Sequence, residues 1–439
     1  MSRRVSRPRP ITNSSTRARA AKGREGRESL NASSARDTLS LEVVSMRART
    51  VTYAIGWICA GAIALACGSD EASSDGASPS GSSSNSSGGG GGTSPGDPSK
   101  PPSQPPAAGA LAGNPDGKCA IPAGAGPEDV SSPTTVIGTG TPASCTSAAF
   151  VSAVANGGVI TFDCGPDPVT ITLTETAKVY NDKGPKVVID GGGKVTLSGG
   201  GKVRMLYQNS CSPELHGGAD CNDQEKPALT VQNITFVDGS SKGLSDDDNQ
   251  AGGGAIWVRG GRFKAYNARF FGNVCDDLGS DLGGGAIRVL DFPSKGTSQT
   301  RPVYIVHSTF GGENLGNACA NGGALSSIGT SYTIVNSLFQ NNTAVGHGAN
   351  DGQGGNGGAI YNDGNTFTLS MCGTRIENNH ANEGGSAVFY VSNDKTGSLT
   401  ITDSTLRKNP KGTFETADYP GMFIIAKSGE PNVTNSTIE

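Results

Sequence analysis

The sequence predicts an all-β solenoid, a parallel β-helix of stacked coils, from three observations. One frame recurs as ALTVQNITF, RFKAYNARF, PVYIVHSTF, YTIVNSLF, FTLSMCGTRI, SLTITDSTL and PNVTNSTI. Its terminal residues Phe236, Phe270, Phe310, Phe339, Ile376, Leu406 and Ile438 lie 29 to 40 residues apart, a period that belongs to stacked repeats. Apolar residues inside the frame alternate with period two, and 66 Gly with abundant Thr, Asn and Val exclude helical arrays, which need a 3.6-residue period.

Within the frame, two columns point inward: Leu229, Phe263, Val303, Tyr332, Leu369, Leu399 and Pro431, then Val231, Ala265, Ile305, Ile334, Met371, Ile401 and Val433. The next inward position holds Asn233, Asn267, His307, Asn336, Gly373, Asp403 and Asn435, and an amide is costly to bury unpaired. After it the inward phase moves by one residue, onto Ile234, Ala268, Ser308, Ser337, Thr374, Ser404 and Ser436. A phase break at a fixed place predicts a sharp corner between two short strands, with the corner amides bonded up and down the stack. F-x-x-N endings follow at Phe270/Asn273, Phe339/Asn342, Ile376/Asn379 and Leu406/Asn409, and Phe310 finds an Asn at Asn314.

A second motif opens each coil. GGAI stands at Gly253 to Ile256, Gly284 to Ile287 and Gly357 to Ile360, GGAL at Gly322 to Leu325, and a degenerate GGSAV at Gly384 to Val388. Paired glycines supply a tight turn, and the Ala-Ile pair begins a strand. GGAI with F-x-x-N resembles the repeats of the polymorphic outer-membrane proteins, surface-exposed right-handed parallel β-helices involved in adhesion. GGVITFDCG, VTITLTET and VVIDGGGKVTLSGG are similar to the opening coils of the pectin-lyase-like superfamily. The resemblance covers residues 130 to 439 and implies a right-handed helix, here of nine or ten coils.

The segment TSAAFVSAVANGG predicts a capping helix with Ser147 as its N-cap, carrying Phe150, Val151 and Val154 on one face and closed by Gly157. Such a helix covers the open edge of the first coil, which otherwise invites aggregation.

Upstream, residues 1–45 are rich in Arg and Ser without apolar periodicity, a disordered leader or a mis-assigned start. From Met46, MRARTVTYAIGWICAGAIALAC has the basic, apolar and small-residue order of a bacterial lipoprotein signal peptide over 46–66, which leaves Cys67 as the acylated N-terminus. Residues 67–117 form a Gly, Ser and Pro tether, and 118–439 the β-helix. The resulting expectation is a monomer held on the outer membrane, at the cell surface or the periplasmic face, by lipid at Cys67. Removing residues 1–66, with 12 Lys and Arg against 4 Asp and Glu, takes the net charge from −4 to −12. An acidic protein without a basic patch excludes nucleic acid as a partner.

Of ten cysteines, Cys59 leaves with the signal and Cys67 is acylated. An even remainder in an exported chain predicts disulfides. Cys145 pairs with Cys164 around the helix and Cys211 with Cys221 around a nine-residue insertion. Cys275 and Cys319 occupy equivalent turns of adjacent coils and are the candidates for a third bridge, while Cys119 and Cys372 have no assigned partners. No C-x-x-C occurs, and four histidines leave no zinc signature.

On the outside of the GGAI strands, Trp257, Arg288, Ser326, Tyr361 and Phe389 form a column, flanked by Arg259, Leu290, Ile328, Asp363 and Val391. Aromatic rings interleaved with Arg and Asp suit stacking on sugars, which makes Trp257, Arg259, Arg288, Tyr361, Asp363 and Phe389 the binding candidates; ordinary half-exposed strand exterior, or a column covered by a loop, is the competing account. The turns before the motifs are acidic, with Asp246, Asp247, Asp248, Asp276, Asp277 and Asp281. Two functions compete. A binding module, an adhesin or a receptor for polysaccharide or a cell-surface partner, needs no cofactor or metal. An enzyme resembling pectate lyases or related hydrolases needs a calcium-binding carboxylate cluster with a basic residue, or paired acids. Asp276, Asp277 and Asp281 beside Arg259 or Arg288 are its best set, but N-T-D, G-H-G and R-I-K signatures are missing.

Overall fold

The recurring frame folds as a corner, and the reason is the backbone. In the computed structural model, which describes residues 111–219, 221–222, 224–244, 251–291 and 303–439, Asn233, Asn267, His307, Asn336, Asp403 and Asn435 all have φ between 44° and 51°. Asn, Asp, His and Gly tolerate this left-handed conformation best, which explains the composition of the column. The leader, signal, Cys67, the tether up to residue 110 and Asp246 to Asp248 lie outside the described residues.

One coil shows the plan: strand Ile256–Arg259, a glycine turn, strand Arg262–Tyr266, the Asn267 corner, strand Arg269–Phe271, and a loop back to the next GGAI. Stacking gives three long parallel sheets and a short fourth one of Ala318–Cys319, Thr343–Ala344 and His380–Ala381. Sheet A has ten strands, from Thr135–Ile137 to Asn432–Thr434; sheet B has nine, from Val169–Thr172 to Thr437–Ile438; sheet C has eight, from Ala177–Val179 to Met422–Ile425. The result is the parallel β-helix expected, at ten coils on sheet A, wound in the right-handed sense that parallel crossovers take.

The inward columns are buried as read. Leu229, Phe263, Val303, Tyr332, Leu369 and Leu399 line one row, and Val231, Ala265, Ile305, Ile334, Met371 and Ile401 the next. Phe236, Phe270, Phe310 and Phe339 stack with centroids 5.0, 4.7 and 4.7 Å apart and planes within 5°. Past the corner, the hydroxyls of Ser308, Ser337, Ser404 and Ser436 accept backbone N–H groups of the preceding coils at 3.0–3.3 Å, so the phase shift is real and these small residues face inward.

The amide ladder, however, is not at the corner. There Asn267 donates to Asn233, and Asn233 to Asp190, but Asn336 turns to another segment. The continuous ladder is the F-x-x-N column: Asn273 Nδ2 donates to Asn317, Asn317 to Asn342, Asn342 to Asn379 and Asn379 to Asn409, at 2.8–3.1 Å. Each acceptor oxygen also takes the backbone N–H of the coil below. The partner of Phe310 in this ladder is therefore Asn317, not Asn314.

Glycine pairs have separate duties. Gly253, Gly284, Gly322, Gly357 and Gly385 have positive φ. The following Gly254, Gly285, Gly323 and Gly358 lie against the carbonyl of the next coil, where a Cβ has no room.

The helix Ser147–Asn156 caps the first coil with Phe150, Ala153 and Val154 buried, and Val151 only half-buried. Thr146, rather than Ser147, is the N-cap, accepting from the Ala149 N–H; the Ser147 hydroxyl meets Thr174 instead. Gly157, with φ 71°, closes the helix.

All three assigned disulfides form, and Cys119 pairs with Cys372 across 253 residues. That fourth bridge fastens a strap, Leu111–Glu128, which composition places partly in the tether. Its first half follows the corner: Ala112 N–H donates to Asn267 Oδ1 (2.7 Å), Gly113 N–H to Thr309 (2.8 Å), and Cys119 exchanges two bonds of 2.9 Å with the Asn336 side chain. Its second half returns over sheet A, where the Lys264 ammonium bonds Gly124 O, Gly126 O and Glu128.

Candidate functional site

Sheet C aligns the outward column as the motif spacing requires. Trp257 pairs with Arg288, Arg288 with Ser326, Ser326 with Tyr361 and Tyr361 with Phe389; Arg259, Leu290, Ile328, Asp363 and Val391 pair beside them. Of the two accounts of these rings, the open sugar-stacking row does not hold and the covered column does. Trp257 and Tyr361 are 0% exposed and Phe389 4%. Trp257 stacks on Tyr207 at 4.9 Å in a cluster with Leu215, which the Cys211–Cys221 loop supplies. Phe389 lies between Tyr361 and Phe423 at 5.0 and 5.2 Å, with Phe414 edge-on to Phe423. Loops bring apolar covers to the outside of the sheet, because a contiguous exposed aromatic row is itself costly in water.

Between these two clusters a cleft of about 310 Å³ remains, lined by Asp281, Arg288, Leu290, Ile328, Asp363, Gly364 and Asn393. Arg288, Leu290, Ile328 and Asp363 stand on neighbouring strands, so their spacing is fixed by the sheet. Asp281 comes from the turn before GGAI, and Arg288 Nη1 donates to its carbonyl at 2.7 Å. The Tyr361 hydroxyl lies 3.2 Å from Asp363 Oδ2 and 3.5 Å from Asp281 Oδ1, linking the two carboxyl groups. Asp363 Oδ1 accepts from the Gly364 N–H (2.6 Å) and Asn393 (2.9 Å), and Oδ2 from Asn350 (3.3 Å).

Burial is the main cause of a raised Asp363 carboxyl, with the Asp281 charge adding to it, against the Gly364, Asn393 and Tyr361 hydrogen bonds. The Tyr361 hydroxyl is pushed well above its ordinary value, first by burial and then by both Asp charges. Buried Arg204 donates to Gly253 O and Gly252 O of the glycine turn. Its own value falls to about 9, mainly by burial, with Arg288 contributing. The cleft thus sets two carboxyl groups beside the Arg288 guanidinium on a rigid floor.

The proposed acidic set is not one cluster. Asp276 receives the Gly243 N–H at 3.0 Å, and Asp277 forms an exposed ion pair with Lys242 at 2.8 Å; only Asp281 reaches the cleft. Arg259 sits half-buried beside Leu290 in the register and does not line it. Among the described residues the one group of three or more metal-capable side chains is Cys119, Cys372 and Asp403, whose sulfurs are bonded to each other. Asn393, which lines the cleft, and Asn350, which donates to Asp363, were not legible from the motifs themselves, since they lie outside both. Extending the outward column past Val391 leads toward Asn393.

A larger hollow of about 610 Å³ lies at the corner, lined by Asp190, Lys194, Asn233, Asn267 and Arg269 among others. Its carboxylate and amides are engaged with one another: Asp190 takes Gln232, Asn233 and the Gly192 N–H. The sheet C cleft is the better site. No family model matches the chain, and no curated protein or solved structure matches it either.

Proposed function

We propose that this protein is a lipid-anchored envelope protein whose β-helix holds a glycan, without cleaving it, in the sheet C cleft. The observation that carries this reading is the cleft's composition. Planar polar side chains of Asp281, Arg288, Asp363 and Asn393 surround apolar Leu290 and Ile328, which suits the hydroxyl rim and C–H face of a sugar ring. A volume near 310 Å³ falls at the small end of ligand sites. The fold supplies rigidity, and the motif resemblance to adhesin repeats agrees with a surface role. The order of basic, apolar and small residues ending at Cys67 supports anchoring, and Cys67→Ser is expected to leave an unprocessed precursor.

Catalysis is the second reading, favoured by one feature: Asp363, its carboxyl raised by burial, and Asp281 share the Tyr361 hydroxyl, a juxtaposition of paired acids that hydrolysis uses. The test is product analysis. The full chain incubated with polygalacturonate or alginate, with and without calcium, is expected to release no unsaturated product and no reducing ends. Turnover that Asp363→Asn or Asp281→Asn abolishes would establish the enzyme instead.

A further inference from the structure

The strap over sheet A is held by one covalent bond, and that bond is among the accessible ones. Cys119 and Cys372 are both half-buried, whereas Cys145, Cys164, Cys275 and Cys319 are at most 7% exposed. Cys211–Cys221 is also half-buried, but it spans 10 residues inside one loop, so opening it frees no other element. We propose that Cys119–Cys372 is a thiol-operated latch that releases the Leu111–Glu128 strap from the flank of the solenoid.

The chemistry needs an external thiol reductant. Its thiolate attacks one sulfur of the bridge, forming a mixed disulfide as the other cysteine leaves as a thiolate. A second external thiol then displaces the first cysteine. Two electrons pass from two external thiols to the bridge, whose sulfurs end protonated, and the reductant leaves as a disulfide. The Asp403 carboxylate stands 3.9 Å from Cys119 Sγ. It opposes both the approach of a thiolate and the departure of one, so it slows opening.

With the bridge open, the strap retains hydrogen bonds along the corner and the Glu128 contacts with Lys264 and Lys186. Water can replace most of these at the surface. Beneath the strap, buried Ala125 covers Val306 and Val335, with Tyr266 and Tyr304 beside them. Release uncovers this apolar row. It also adds roughly 60 Å of extended chain to the tether, a consequence that rests on the anchored reading, whereas the latch itself does not.

The full chain is titrated with dithiothreitol, freed cysteines are alkylated and identified by mass, and hydrogen exchange is followed across 111–128. Cys119 and Cys372 are expected to alkylate before Cys145, Cys164, Cys275 and Cys319, with strap amides exchanging at least tenfold faster and the Asn317 and Asn342 amides unchanged. Asp403→Asn is expected to speed opening severalfold, and Cys119→Ser/Cys372→Ser to show the fast strap without reductant. If that double variant does not fold, the selectively reduced wild type carries the test. A strap that stays protected once both cysteines are alkylated, or a bridge that opens only together with the ladder amides, overturns the latch. Failure of Cys67 acylation would remove the gain in reach and leave the latch result standing.

Discussion

The side-chain amide of Asn317 donates to Asn342 Oδ1 at 2.8 Å, and the backbone N–H of Asn317 reaches the same oxygen at 3.1 Å. Asn342 in turn donates to Asn379 and to the Phe310 carbonyl, so truncating it removes four buried hydrogen bonds and takes this acceptor from the Asn317 N–H. Asn342→Ala is expected to cost at least about 3 kcal/mol in chemical denaturation, since each unsatisfied buried group costs on the order of 1–3 kcal/mol. Asn336→Ala, at the corner, should cost about 1 kcal/mol and loosen chiefly the strap. Equal effects at the two positions would contradict the assignment of the ladder.

Phe310 lies between Phe270 and Phe339, each 4.7 Å away with planes nearly parallel. Phe310→Ala opens a void that two rigid rings cannot close, and a loss of about 4 kcal/mol is expected. Phe310→Leu, which retains most of the volume, should cost less than half of that. Thermal denaturation of the two variants measures the difference.

The buried rings of sheet C make a further distinction. Trp257→Ala is expected to lower stability by about 4 kcal/mol, as for a core residue. Tyr361→Phe should leave the fold intact, because ring packing against Phe389 persists, while removing the hydroxyl that links Asp281 and Asp363. Melting curves that separate these variants support a buried column; a Trp257→Ala protein as stable as wild type would mean an open one.

The strap should be sensitive to acid. Burial raises Glu128, but hydrogen bonds and charge from Lys186 and Lys264 prevail and hold it below 4.5. A carboxyl depressed in the folded state contributes stability that is full above its unfolded value and is lost as pH falls through the folded one. Protection of strap amides is therefore expected to be constant from pH 7 to about 5 and to drop below pH 4.5. Glu128→Gln should remove that drop while lowering protection at pH 7.

What the sequence disclosed and what it concealed divide along physical lines. Leu229 and Val231, or Tyr332 and Ile334, were legible because burial alone imposes their alternation. Asn336 was misassigned because an amide chosen for positive φ and one chosen for a ladder are the same letter. Asn317 escaped because GGENLGN lengthens its turn, leaving the frame but not the stack. The burial of Trp257 depends on Leu215, and that of Phe389 on a cluster that includes Phe414, residues of irregular loops without period. The strap was hidden because glycine and proline that permit close docking, as Gly113 does against Asn336, give the same composition as a loose tether. Of the site, Arg288 and Asp363 were recoverable from strand register and Asp281 from the acidic turn before GGAI, whereas Asn393 lies one step past the end of the column as read.

The cleft is tested most directly by equilibrium binding of the full chain to alginate and polygalacturonate oligosaccharides, comparing wild type with an Asp281→Asn/Asn393→Ala variant of unchanged melting temperature. Saturable binding by the wild type, at least tenfold weaker in the variant and with the oligosaccharide recovered intact, is the predicted result. Equal affinity in both proteins, or no binding by the wild type, would contradict the assignment of the sheet C cleft to these ligands.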